Sequence, residues 1–179
     1  MSWSESPELP YHPDRWLAVL RIVVGLWFLK SAVTKIGGFL LLGFIPLPSA
    51  SGRWVDFLPQ RLLEYSESVR IGWYSDFLAN VAVPNAHLFA QLTAFGETAV
   101  GVGLTLGLAT RLTSLVGLTV MANYFLATFW VGYCQQGFHI VLITCMVAFL
   151  GAGAGRVWGL DGRIMRRFPG SLLGRWHLL

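Results

Sequence analysis

A single acid in a long apolar run is the residue of this sequence with the clearest potential for chemistry. Glu97 lies early in the stretch from Phe95 to Leu118, which holds no second charge until Arg111. As a helix, the fourteen residues between these two charges would extend roughly 21 Å along the axis. A carboxylate deep in an apolar layer is costly, so it needs a partner, a proton or a function. A buried acid of this kind can also hold and release protons for a reaction.

Cations in the first apolar run are the candidate partners of that acid. This run contains Arg21 and Lys30, and Lys35 closes it. On a helix, Arg21 and Lys35 share a face, whereas Lys30 points to the other side. In one interpretation the cations extend to the two membrane surfaces. In the other, Arg21 or Lys30 turns inward and pairs with Glu97, which predicts a buried polar cluster with these three as candidate catalytic residues.

The composition predicts an integral membrane protein rather than a soluble domain. Of 179 residues, 55% are hydrophobic and 12% are charged, against about 25% charged residues in ordinary soluble domains. A large soluble core would not give four long runs that are almost free of charge. The net charge of +4 comes mainly from arginines in the last 24 residues. Arginines beside a membrane segment set its orientation or contact anionic lipid, so their position favours a membrane role over nucleic-acid binding.

The apolar runs predict an all-α fold, a four-helix membrane bundle with spans at about 16–34, 87–109, 112–131 and 138–155. Four spans place both termini on one side of the membrane, and the distribution of arginines makes that side the cytoplasm. A cytoplasmic tail 1–15 and a basic cytoplasmic tail 159–179 would flank the bundle. The candidate orientation residues are Arg111, Arg156, Arg163, Arg166 and Arg167.

An extracytoplasmic insert, 36–84, separates the first two runs. Its first part, Ile36 to Pro48, is apolar but shorter than the roughly 20 residues of a spanning helix, so we expect an interfacial or re-entrant piece. In the rest, apolar and aromatic residues recur at helical spacing. This spacing predicts two short amphipathic helices on the membrane surface. The recurring residues are Trp54, Leu58, Leu62, Tyr65 and Val69, then Trp73, Phe77 and Val81.

Three blocks of residues resemble signatures of DoxX-type membrane proteins, over about residues 16 to 165. The first block opens the chain's first run, the second covers the central hairpin, and the third is rich in glycine and follows the last run. The blocks are Arg21-x3-Gly25-x2-Phe28 with Lys35, Glu97-x3-Gly101-x-Gly103-x3-Gly107-x3-Arg111-Leu112, and Gly153-x-Gly155-x3-Gly159-Leu160-Asp161.

The resemblance implies a four-helix bundle in the cytoplasmic (inner) membrane of a bacterium or archaeon. It also implies that Arg21, Lys35, Glu97 and Arg111 are the polar positions shared with that family. The DoxD relatives in this superfamily are expected to form the large subunit of thiosulfate:quinone oxidoreductase, which passes electrons from sulfur compounds to quinone. Quinone is therefore the candidate cofactor, and other membrane-protein subunits are candidate partners.

Two features depart from a minimal DoxX protein. Lys30 adds a cation to the first run, and the chain carries a long insert from Gly38 to Pro84. The two cysteines, Cys134 and Cys145, are eleven residues apart, which does not predict a redox pair or a metal site, and both are expected to be small packing residues. The sequence therefore does not predict a direct thiosulfate activity.

Four further polar residues have weaker signals. His87 and His139 lie near the extracytoplasmic ends of their runs. Together they could bond a quinone carbonyl or bind a metal or haem, although two interfacial histidines would have the same spacing. Asn123 predicts a hydrogen bond between helices. Asp161 predicts a cap for a short helix from Gly162 to Phe168.

Two function classes remain open from the sequence. The first is an oxidoreductase subunit at the quinone pool, in which Glu97 with Arg21 or Lys30 surrounds a ligand cleft. The second is a non-catalytic accessory subunit of a larger respiratory or photosynthetic membrane complex, in which a buried ion pair only fixes helix register. A transporter is a third, weaker option. Nucleotide, zinc-protease and serine-hydrolase motifs do not occur in the sequence.

Overall fold

The computed structural model describes residues 12–41 and 45–168, with only the backbone described for 38–41 and 45–48. The expected N-terminal segment 1–11 and the end of the basic tail, including Arg175, lie outside these ranges. The described elements run in chain order as follows: α1 Pro13–Lys35, β1 Ile36–Leu41, β2 Ile45–Ala50, α2 Gly52–Ser68, α3 Gly72–Phe77, a π-helical turn Leu78–Ala82, α4 Ala86–Leu106, α5 Thr110–Thr128, α6 Tyr133–Ala152 and α7 Leu160–Arg167.

The four long helices α1, α4, α5 and α6 pack side by side. Helix α1 lies against α4, α5 packs on both α4 and α6, and α1 also touches α6. Helix α4 ends at Leu106 and α5 begins at Thr110, so a three-residue turn joins them into the tight hairpin expected of the central run. The protein is therefore mostly helical, as predicted.

Two of these helices, α1 and α6, are long and apolar enough to cross a membrane. Only 33% and 22% of their apolar windows are buried inside the protein. Large apolar side chains therefore remain on the outside of α1, with Trp16 70% exposed and Val33 79% exposed. Helices α4 and α5 have 21 and 19 residues and also present leucines outward.

The first part of the insert forms a β-hairpin, which the all-α prediction did not include; its place at the membrane interface stays a prediction. Strands β1 and β2 pair antiparallel, from Ile36 opposite Ala50 to Leu41 opposite Ile45. Glycines lower helix stability, and a proline inside a helix removes a hydrogen bond and clashes. Glycines and prolines, such as Gly37 and Pro46, are frequent in this segment, so it forms paired strands more readily than a helix.

The rest of the insert is helical, as its spacing predicts. Helix α2 buries Leu58 and Leu62, and Tyr74 of α3 is also buried. These residues join the small residues on the first half of α4 in one apolar cluster, which we call the insert-side core. A second cluster, the turn-side core, joins α1 to the halves of α4, α5 and α6 that lie near the α4–α5 turn.

Close contact between α1 and α4 depends on two glycines. A Cβ atom on Gly25 would lie 2.5 Å from the backbone nitrogen of Thr105, and one on Gly101 would lie 2.8 Å from that of Leu29. Residue numbers rise along α1 as they fall along α4, so the two helices are antiparallel. The glycine contacts fix which residues of the two helices stand at the same level.

Candidate functional site

Glu97 is buried between the two cores and accepts three hydrogen bonds. Its side chain is 1% exposed. One carboxylate oxygen, Oε1, lies 2.5 Å from Lys35 Nζ and 2.6 Å from the Tyr124 hydroxyl. The other oxygen, Oε2, accepts from Ser31 Oγ at 2.8 Å. Three helices, α1, α4 and α5, therefore meet at one carboxylate.

Lys35 uses all three of its ammonium hydrogens inside this cluster. Besides Glu97, its Nζ atom lies 3.3 Å from Ser31 Oγ and 3.3 Å from the Tyr124 hydroxyl. An ammonium group has three donors and no acceptor, so no N–H is left over. The ring of Trp54 covers the ammonium at 4.7 Å, a cation–π contact. Trp54 belongs to α2, so the insert completes the site.

The expected pairing of Glu97 with Arg21 or Lys30 is wrong, because the partner is Lys35. In the antiparallel packing of α1 and α4, Glu97 stands level with Ser31 and Lys35. Arg21 is fourteen residues before Lys35, roughly 21 Å away along the helix. Lys30 points outward and lies 5.0 Å from the Trp27 ring, so it faces away from Glu97.

A cavity of about 670 Å³ lies against the ion pair. Ser31, Lys35 and Tyr124 form part of its wall, and Glu97 stands behind them. The remaining wall is rich in rings, six of which come from the insert or from α4. Cavities of this size and apolar character suit a small-molecule ring with a few polar groups. The six are Trp54, Phe57, Tyr65, Tyr74, Phe77 and Phe89.

The two histidines do not share a site. His139 is buried on α6 and lines the cavity, with its Nδ1 atom 2.8 Å from the carbonyl oxygen of Gln135. His87 is exposed near the start of α4 and does not line this cavity. The described part of the chain brings no three His, Cys, Asp or Glu residues together as a metal site.

A second cluster of buried charge lies at the α4–α5 turn. Arg21 is fully buried and donates to the backbone carbonyls of Leu104, Thr105 and Trp158. Asp161 is also fully buried and accepts from the backbone nitrogens of Ala109 at 2.6 Å and Thr110 at 2.8 Å. Backbone groups thus accept or donate every hydrogen bond that these two side chains make here, while Arg21 Nε is buried without a partner among the described residues.

Asp161 caps a different helix from the one expected. Its carboxylate satisfies the start of α5, whereas Gly159 precedes α7 and no side chain caps that helix. A Cβ atom on Gly155 would lie 2.1 Å from Thr110 Oγ1 and 2.2 Å from Asp161 Oδ2. Gly107 adopts a left-handed φ of +63° in the turn itself. The glycine-rich block is therefore packed tightly around this turn.

Other sequence-predicted residues lie apart from the cavity's ion pair. The candidate orientation residues Arg156, Arg163, Arg166 and Arg167 are exposed, and they follow the segment that packs on the α4–α5 turn. Arg111 is partly buried in the first turn of α5. Their role in membrane orientation stays a prediction.

Asn123 and Cys134 do not have the contacts expected of them. The side chain of Asn123 donates to the Thr119 carbonyl of its own helix instead of bridging to another helix. Its backbone carbonyl accepts from the Tyr74 hydroxyl at 3.1 Å. Cys134 is exposed rather than packed, while Cys145 is buried, and both are free thiols.

Sequence reasoning missed three residues of the ion-pair cluster, namely Ser31, Tyr124 and Trp54. Ser31 precedes Lys35 by four residues, the spacing at which helical side chains meet. Tyr124 is a hydroxyl-bearing ring in the middle of the third apolar run. Trp54 gives no such local signal, because its contact depends on how the insert folds back over α1.

Comparison with known proteins identifies one family. A family model described as "TQO small subunit DoxD" matches residues 16–173, which is most of the chain. The description names a small subunit, so the expectation that DoxD relatives form the large subunit is wrong. Searches among curated proteins and among solved structures returned no match.

Proposed function

The chain belongs to the DoxD family, and on that premise we propose that it is a membrane subunit of an oxidoreductase that uses quinone. The observation that carries this proposal is the aromatic cavity against the buried Lys35–Glu97 pair. The volume suits a quinone ring, and the rings of the wall can stack on it. Lys35 and Tyr124 are the polar groups that such a ring would contact first.

In this proposal the residues of the chain bind the ring and move protons. Reducing a quinone takes two electrons and two protons, and the electrons come from a partner subunit that oxidises a sulfur compound. The Tyr124 hydroxyl stands between Glu97 and the cavity, bonded to the carboxylate at 2.6 Å. Glu97 must first take up a proton from outside the cluster. It can then pass that proton to the Tyr124 oxygen while Tyr124 gives its own hydroxyl hydrogen to the ligand, so the acid serves the ligand without touching it.

We further propose that α1, α4, α5 and α6 are the four spans, at about 16–34, 87–109, 112–131 and 138–155. All four helices expose large apolar side chains, as lipid-facing helices do. The exposed arginines after α6 support cytoplasmic termini, with tails 1–15 and 159–179 on that side of an inner membrane. The insert 36–84 then lies on the opposite side, with α2 and α3 at the membrane surface.

The proposal is tested by purification in mild detergent, extraction of bound lipid and measurement of quinone per chain. We expect a stoichiometric quinone in the natural protein. Phe57→Ala removes a ring from the cavity wall and should weaken quinone binding about tenfold, the order of one aromatic stacking contact. Lys30→Met removes an exposed cation from the same helix as Lys35 and is the matched control.

Two results would contradict the quinone role. The first is a folded natural protein that carries no quinone and does not bind an added one. The second is equal loss of quinone in Phe57→Ala and Lys30→Met, because Lys30 lies outside the cavity.

The second candidate function is an accessory subunit without a ligand of its own. The exposed apolar faces of α1 and α6 favour it, because a partner subunit can cover such faces as well as lipid can. Native mass measurement of the solubilised complex separates the two functions. A stable complex that lacks quinone and keeps its composition in Glu97→Gln would support the accessory role.

A further inference from the structure

His139 has a hydrogen-bonding arrangement that fixes which ring nitrogen carries the proton. Its Nδ1 atom lies 2.8 Å from the carbonyl oxygen of Gln135, and a carbonyl oxygen can only accept. Nδ1 also lies 3.4 Å from Thr128 Oγ1. The Thr128 hydroxyl donates its own hydrogen to the Tyr124 carbonyl at 2.7 Å, so toward His139 it can only accept. Both neighbours therefore place the hydrogen on Nδ1.

The other ring nitrogen is left as an acceptor beside the cavity. In a neutral imidazole with hydrogen on Nδ1, the Nε2 atom carries a lone pair. None of the described residues hydrogen-bonds with Nε2, and His139, which is 5% exposed as a residue, lines the cavity. An acceptor in the wall of an apolar cavity gains most from a ligand that donates a hydrogen bond.

The charged end of the cavity has no donor to spare. All three N–H groups of Lys35 are engaged, and the hydroxyls of Tyr124 and Ser31 both donate to Glu97. A carbonyl oxygen could bond there only if one of these contacts opened. Elsewhere in the wall, Arg61 and Gln135 carry N–H donors and the Tyr65 hydroxyl can donate or accept, so a preference for a ligand that donates belongs to the His139 contact alone.

We propose that His139 Nε2 accepts a hydrogen bond from a ring hydroxyl of the ligand and selects the hydroquinone form in this cavity. This inference rests on the proposed function and adds to it a residue that distinguishes the reduced ligand. Binding needs no bond to form or break, because the hydroxyl hydrogen stays on the ligand. The reduced product is thus the form to which the structure is complementary.

The test compares a hydroquinone with its dimethyl ether, which has the same ring but no hydroxyl hydrogen. Binding is followed without oxygen, by quenching of tryptophan fluorescence in the purified protein. We expect the natural protein to bind the hydroquinone about tenfold more tightly, the difference that one hydrogen bond makes. His139→Phe should lose that preference and keep its affinity for the ether. His87→Phe, at an exposed histidine, is the matched control and should keep the preference.

A second measurement needs no substitution. Nitrogen NMR of the His139 ring should show hydrogen on Nδ1 in the free protein, and only the Nε2 signal should move on addition of the hydroquinone. A preference that survives in His139→Phe, or a ring with hydrogen on Nε2, would overturn the inference and leave the proposed function standing. Failure of the natural protein to bind either compound or a quinone would instead refute the proposed function.

Discussion

In the part of the chain that the structure describes, buried charge lies in two places, and its hydrogen bonds are of two different kinds. At the α4–α5 turn, Arg21 and Asp161 hydrogen-bond to backbone carbonyls and amides. Beside the cavity, Glu97 and Lys35 are satisfied by each other and by the hydroxyls of side chains. Both clusters contain residues of the DoxX-like blocks, so the sequence pattern alone does not distinguish them.

The difference separates an architectural role from a chemical one. A backbone amide or carbonyl cannot exchange its role as donor or acceptor, so the turn cluster has one stable arrangement. Hydroxyl and carboxylate groups can exchange protons, and here they stand next to a space of about 670 Å³. The same types of charged residue therefore fix a turn in one place and can serve a ligand in the other.

The largest expected effect is the loss of one partner of the ion pair. Lys35→Met leaves the Glu97 carboxylate buried without its counter-ion and should lower the free energy of unfolding by about 3–5 kcal/mol. Adding Glu97→Gln removes the remaining charge and should restore most of that loss. The measurement is a double-mutant cycle from denaturant unfolding in detergent. Additive effects would show that the two side chains do not interact in the folded protein.

Loss of the turn cluster should damage stability but not ligand recognition. Asp161→Ala leaves the amides of Ala109 and Thr110 buried without acceptors, at about 1–3 kcal/mol each. Chemical unfolding measures the stability, and ligand titration of the folded fraction measures the ligand affinity. Asp56→Ala, at an exposed acid of α2, is the control. A variant that folds normally but no longer binds ligand would contradict the purely structural role of the turn cluster.

The register that brings Lys35 to Glu97 can be tested at a glycine. Gly101→Ala places a Cβ atom 2.8 Å from the Leu29 nitrogen, so the two helices must separate, at about 1–3 kcal/mol. Gly96→Ala meets only a methyl group at 3.5 Å and should be nearly neutral. Thermal unfolding of the two variants checks the difference. Equal effects would contradict close packing at Gly101.

The smallest effect concerns the link between the insert and α5. Burial raises the pKa of Tyr74 to about 12, from an ordinary value near 10. The folded protein therefore holds this proton more tightly than the unfolded chain, and the stability that it provides is present below pH 10 and lost as pH rises to about 12. Tyr74→Phe should cost about 0.5–1.5 kcal/mol at pH 8 and remove part of the alkaline destabilisation. Unfolding measured at several pH values tests this, and a constant difference between the two proteins would contradict it.

Local sequence signals predicted the helices, the buried acid and the family, because each depends on spacing within one segment. Which cation pairs with Glu97 depends on the register in which α1 packs against α4. Gly25 and Gly101 set that register through their contacts with the opposite helix, so it cannot be predicted from the sequence of one helix alone. Asp161 was expected to cap its own helix, since nothing local points to an amide about fifty residues earlier. The β-hairpin was missed because a short apolar run does not reveal whether its backbone pairs with itself.

The turn-side core also determines from which end of the helices charge can reach Glu97. Val100, Leu104, Met146 and Phe149 have no exposed surface, and they fill the space between Glu97 and the buried charges at the turn. These four side chains offer a proton no polar group to follow, and carrying a bare charge across an apolar layer is very costly. The insert end, where Lys35 keeps a little exposure, is the open approach. Charge that reaches Glu97 therefore enters and leaves at the insert end of the helices, and the apolar layer insulates the acid from the turn.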